Sequence, residues 1–136
     1  MNLLNKIDEI SNVITWFEIP VSDINRAKQF YETILDIEMT TRKDDNNEAV
    51  FFPFNPTVVQ ATSGRVTGVL SKSVGNNPSA NGTVVYINAS PSIQKVLDRV
   101  ELSGGKIISQ VTRIPAGLIA LILDSEGNKV GLHAEQ

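Results

Sequence analysis

One histidine and one strand-borne carboxylate are the side chains of this chain best suited to chemistry. His133 is the sole histidine in 136 residues. It lies in the closing stretch "LDSEGNKVGLHAEQ", just after a tight-turn signature. An imidazole titrates near neutral pH, so it can carry a proton, ligate a metal or hold a polar group. Glu18 stands within "VITWFEIPV". If the fold brings it beside His133, the carboxylate raises the imidazole pKa and fixes its tautomer. Such a pair moves a proton, holds a polar ligand or simply ties two strands together. Trp16 is a stacking wall for a flat ligand or ordinary strand core. Arg113 follows "KIISQVT" and suits either an acidic ligand at a cavity mouth or plain solvation.

Composition narrows these options. The chain is long enough for one domain with a real core. Twelve basic and fifteen acidic residues leave a formal net charge of -3, so no basic field exists to hold nucleic acid. With no cysteine, thiolate metal sites, cysteine nucleophiles and disulfides are excluded, and a cytoplasmic location fits. No apolar run suits a signal peptide core or a membrane span. Phosphate-binding loops, dinucleotide fingerprints and nucleophile elbows are absent. The doublet Gly104–Gly105 reads as a helix stop, since no glycine-rich turn precedes a helix there.

The elements that must position these residues form a pattern that occurs twice. Residues 1–12 read as a short helix or loose lead-in. "VITWFEIPV" reads as a strand. "SDINRAKQFYETILD" reads as a helix capped by Ser22 or Asp23, with Ile24, Ala27, Phe30, Tyr31, Ile34 and Leu35 along one stripe. The strands "IEMTTRK", "AVFFPF" and "VTGVLSK" follow, with Gly64 and Gly68 as a flexible rim. From residue 83, "TVVYINA" reads as a strand. "SPSIQKVLDRVELSGG" then reads as a helix with Ser90 as cap, Pro91 in its first turn and Gly104 at its stop. Its stripe is Ile93, Val96, Leu97 and Val100. "KIISQVT", "GLIALILD" and "KVGLHA" complete three more strands. Each half is strand, helix, strand, strand, strand, and "SVGNNPSANG" links them. Module one covers about 13–72, the linker about 73–82 and module two about 83–134, within one domain over 13–136. The expected class is α+β: two βαβββ modules forming a curved, partly closed mixed sheet around a cavity.

The segments "FEIPVSDINRAKQFYETILDIEM" and "DSEGNKVGLH" resemble the glyoxalase/bleomycin resistance/dioxygenase superfamily, also called vicinal oxygen chelate proteins. The first is similar to that family's opening strand, turn and helix; the second resembles its final hairpin. The resemblance spans roughly residues 13 to 134. It implies the two-module fold, small-molecule binding and a homodimer. The modules either pair within one chain or exchange between two.

Metal-dependent members hold a divalent ion through four His or Glu side chains. The resemblance carries those positions onto Trp16, onto Gly68 or Leu70, onto Val84 or Val85, and onto Gly131. None of these side chains ligates a metal, so no metal cofactor is expected. Strand alternation then sets Glu18 and Pro20 on the face of Trp16, His133 on that of Gly131, and Tyr86 and Asn88 on that of Val84. The expected function is small-molecule binding without metal, as in ligand sequestration. The alternative is a glyoxalase-, lyase- or dioxygenase-related enzyme. In it Glu18 and His133 serve as acid and base, or as ligands of a shifted metal site.

Overall fold

The computed structural model describes residues 7–58 and 65–136. Residues 1–6 of the lead-in, and Gly64 of the expected rim, lie outside the described residues. Residues 7–15 form turns and bends with no helical turn among them. Module one runs β1 (Trp16–Pro20), α1 (Ile24–Leu35), β2 (Thr40–Lys43), β3 (Glu48–Phe51) and β4 (Thr67–Lys72). Module two runs β5 (Tyr86–Asn88), α2 (Ile93–Val100), β6 (Lys106–Ile107), β7 (Thr112–Ile114), β8 (Gly117–Leu123) and β9 (Lys129–Ala134).

Both helices form where the apolar spacing places them. The Asp23 carboxylate accepts the Arg26 N–H at 3.0 Å and starts α1. Ile24, Ala27, Phe30, Tyr31 and Ile34 are buried along its stripe, each large apolar side chain contributing about 1.5–3 kcal/mol. The cap of α2 is Ser92, not Ser90: its Oγ accepts the Lys95 N–H, two residues later than the sequence suggests. A 3-10 turn at Glu101–Ser103 extends α2, and Gly104 stops it at φ 100, a conformation that costs glycine little.

"KIISQVT" is not one strand. The N–H groups of Ile108 and Ser109 both point at the Leu121 carbonyl, while the Ser109 hydroxyl takes the Leu121 N–H. Two extra residues therefore interrupt the ladder, since residues 108–111 lie opposite only 120–121, and divide the segment into β6 and β7.

The strand orders are β1-β4-β3-β2 and β5-β9-β8-β6, with β7 also pairing β8. In each module the first strand runs parallel to the last, and the other pairings are antiparallel. The repeat extends to single hydrogen bonds. Val21 N–H donates to the Ser71 carbonyl in module one, and Ala89 N–H donates to the His133 carbonyl in module two. Helix α1 packs on β3 and β4, α2 on β6, β8 and β9, and the helices touch each other. One continuous core results. The two sheets do not close into a barrel, and no ladder joins β1 to β5.

A polar latch fixes the two modules. The buried Asp124 carboxylate accepts the Tyr31 hydroxyl at 2.7 Å, the Asn128 side-chain amide, and the N–H groups of Glu126 and Asn128. Asn128 reaches on to the Pro20 carbonyl at 2.7 Å and receives the N–H of linker residue Ser79. Gly127, at φ 88, closes the turn that carries these groups. Glu126 accepts the Ser22 and Asp23 N–H groups and pairs with Arg26 at 2.7 Å, so a carboxylate sits at the start of α1. Burial and the adjacent Asp124 push the Tyr31 phenol well above its ordinary value. Burial raises the Glu126 pKa, but bonds from Arg26, Asp23, Ser125 and Ser22 outweigh it and hold the carboxyl below its usual range.

Tyr31→Phe should lower unfolding free energy by about 1–3 kcal/mol, because a buried carboxylate loses a donor; urea melts measure this. Glu126 contributes stability that is complete above its unfolded value and is lost as pH falls through its lower folded value. Acid melts followed by circular dichroism should therefore drop below about pH 4.3, and Glu126→Gln should flatten that limb.

Candidate functional site: an aromatic cavity between the modules

The face of each sheet turned away from the helices carries the candidate residues. Along β1, Ile19 is buried in the core while Trp16 and Glu18 are exposed on the other face. Along β5, Ile87 is buried while Tyr86 and Asn88 are exposed. The ladders set Tyr86 beside Gly131 and Asn88 beside His133. Strand alternation therefore places Trp16 and Glu18, and Tyr86, Asn88, Gly131 and His133, on the faces the sequence suggests.

The same ladders correct the second inherited corner. Trp16 pairs with Thr67 and Glu18 with Val69, so Thr67, Val69 and Ser71 share their face. Leu70 is fully buried on the helix side. Gly68 is no flexible rim: it lies inside β4, and a side chain there would strike the Phe17 carbonyl and ring. Because Ser71 corresponds to His133, the partner of Gly131 in module one is Val69, neither Gly68 nor Leu70.

Aromatic rings occupy both faces. The Trp16 and Phe51 rings come from β1 and β3 and meet at 5.8 Å over β4. They shield Thr67 and Val69, which are only 6% and 5% exposed although they face away from the helices. In module two a side chain at Gly131 would overlap the Tyr86 ring. The phenol therefore lies where a ligating side chain would project.

A cavity of about 950 Å³ lies between β1 and β5, within the size range of small-molecule sites. Trp16, Glu18, Tyr86 and Asn88 all line it, over an apolar floor that includes Phe17, Leu35 and Phe52. Trp16 is 43% and Tyr86 48% exposed, so both rings offer free surface. The Asn88 side-chain oxygen accepts the Ser90 N–H at 2.9 Å and shapes the turn before α2. A smaller polar pocket of about 200 Å³ shares Glu18 and is lined by Asn77, Ser79, Asn81 and Lys129. The linker thus helps to build a pocket, which its Asn- and Ser-rich sequence alone does not signal.

The structure leaves two of the sequence candidates outside this group. His133 does not line the cavity. Its Nε2 lies 2.7 Å from the Ala116 carbonyl, which only accepts, so Nε2 carries the proton. No hydrogen bond or ion pair joins it to Glu18 among the described residues. Arg113 is exposed on β7 and pairs with Leu118, on the helix-side parity of Ala134. It does not line the cavity.

A family model for the glyoxalase/bleomycin resistance protein/dioxygenase superfamily matches residues 13–132. The chain belongs to this superfamily. No curated protein sequence matches it significantly. Among solved structures, it is similar to TnmS3, an antibiotic-binding protein from Streptomyces sp. CB03234. The identity is 19% and the TM-score 0.64, covering 92% of this chain and 97% of that one. Against the trypanothione-dependent glyoxalase I of Leishmania major the values are 17% and 0.64, covering 92% and 88%. A glyoxalase/bleomycin resistance protein/dioxygenase domain from Frankia sp. EAN1pec gives 13% and 0.64, covering 92% and 98%. At these identities the likeness concerns the fold.

The superfamily's metal-dependent members raise the question of a metal. The resemblance, read through this structure's ladders, carries the four ligand positions onto Trp16, Val69, Val84 and Gly131, and none offers an imidazole or carboxylate donor. Among the described residues no three His, Asp or Glu side chains come together. These residues do not fit a divalent ion held in the family's manner.

Gly131→Ala should displace the Tyr86 ring and cost about 1–3 kcal/mol at most, since the ring is exposed and can swing away. Ring-proton NMR shifts of Tyr86 report the movement; unchanged shifts would mean that the ring does not lie over Gly131.

Proposed function

We propose that the protein binds a small, largely apolar molecule in the cavity between β1 and β5, without a metal ion. Trp16 and Tyr86 serve as its aromatic walls. One observation carries this reading: rings and aliphatic groups take the four metal-ligand corners, yet about 950 Å³ beside them stays open. The donor chemistry that a Lewis-acid step needs is replaced by surface that stacks and excludes water. An antibiotic-binding protein and a glyoxalase I share the fold equally well, so the residues rather than the fold decide. Sequestration of a ligand is the function these residues suit.

The acid–base alternative places proton transfer on Glu18 and His133. The bond from His133 to Ala116, and its place outside the cavity lining, favour binding over that alternative. His133 then acts as a tie between β9 and the turn before β8. Ile14 and Val66 are exposed at the cavity, which supports the homodimer that the resemblance implies. No helix among the described residues is long and apolar enough to cross a membrane, and a cytoplasmic site of action suits a chain without cysteine.

A thermal-shift screen against apolar aromatic compounds should yield ligands that raise the melting point by on the order of 10 °C at a hundred times Kd. Trp16→Ala should abolish the shift. His133→Ala should keep it, while lowering intrinsic stability by about 1 kcal/mol. A shift that survives Trp16→Ala, or binding that disappears when a stoichiometric metal is chelated, would overturn the proposal.

A further inference from the structure

We infer that the cavity selects cations: its ligand class is a flat or compact apolar body carrying an ammonium, amidinium or comparable positive group. The inference rests on the binding function proposed above and adds the charge of what is bound.

The cavity lining is apolar and aromatic except for Asn88, a few hydroxyls and one formal charge, the Glu18 carboxylate. Glu18 stands two residues from Trp16 on the same strand face. The pseudo-repeat sets it in the place that Tyr86 takes in module two, so both rings and the carboxylate share one cavity. Ring faces carry negative potential and attract cations, most strongly for tryptophan. A carboxylate beside two such rings supplies the matching full charge, and its interaction strengthens as a ligand displaces water. Glu18 makes no ion pair with another described residue. Lys129 shares the smaller polar pocket with Glu18 and does not line the large one. Among the described residues, an anionic ligand would find no basic side chain on the walls of the large cavity and would meet Glu18 as a like charge.

Three tricyclic probes of similar shape test this: 9-aminoacridine as the cation, 9-anthracenemethanol as the neutral body and 9-anthracenecarboxylate as the anion. Fluorescence titration of the full chain should give the cation at least tenfold tighter binding than the neutral probe, with the anion weakest. Glu18→Gln should bring the cation to within about threefold of the neutral probe. Trp16→Ala should weaken all three. Equal binding of cation and neutral probe, or a cation preference that survives Glu18→Gln, would overturn the charge selection and leave the cavity's binding role standing. Failure of all three probes to bind would overturn both.

Discussion

The buried Asp124 carboxylate is the constraint on which the architecture depends. A carboxylate withdrawn from water is costly unless its oxygens are satisfied, and four donors satisfy this one. Those donors come from different places: Tyr31 from the middle of α1, the rest from the turn after β8. Asn128 extends the network to β1 through Pro20 and to the linker through Ser79. No ladder crosses between the two sheets. The helix–helix contact and this latch therefore set how β1 faces β5. The width of the cavity between them follows from that setting.

Duplication gives the two halves similar frames but different fillings. In module one, Trp16 and Phe51 close over β4 and bury Thr67 and Val69 beneath them. In module two, Gly131 vacates the space that the Tyr86 ring takes. Both arrangements put aromatic surface at positions onto which the resemblance carries the metal ligands. The physical trade is plain. Imidazoles and carboxylates concentrate charge on a metal-bound substrate oxygen, whereas rings offer area, stacking and a weak attraction for positive charge.

Much of the site was legible in the residues. Alternation around Ile19 and Ile87 correctly sorted Trp16, Glu18, Tyr86 and Asn88 from the core, because a period of two admits only two faces. The same rule set Gly131 and His133 on the face of Tyr86. It could not say that His133 would meet the Ala116 carbonyl and not Glu18, since alternation fixes a face and not a distance. The sequence left Arg113 either at a cavity mouth or in solvent, and the structure puts it exposed on β7, outside the cavity lining. Residues 108–111 lie opposite only two residues of β8 and break the ladder, and nothing in the sequence marks Ser109 as a hydrogen-bond partner of Leu121. The error at Gly68 and Leu70 was a one-residue slip in register, which moves a whole strand to its other face.

The sequence by itself determined the two-module α+β fold, the helix stripes, the strand faces and the lack of metal-ligating side chains at the inherited corners. These are properties of periodicity and residue type, which act over a few neighbours along the chain. Only the tertiary structure decided which groups meet: Tyr31 with Asp124, Glu126 with the start of α1, Tyr86 over Gly131, and His133 with Ala116 instead of Glu18. Each such contact depends on the relative placement of elements distant in sequence, and packing and hydrogen-bond satisfaction across the whole domain set that placement.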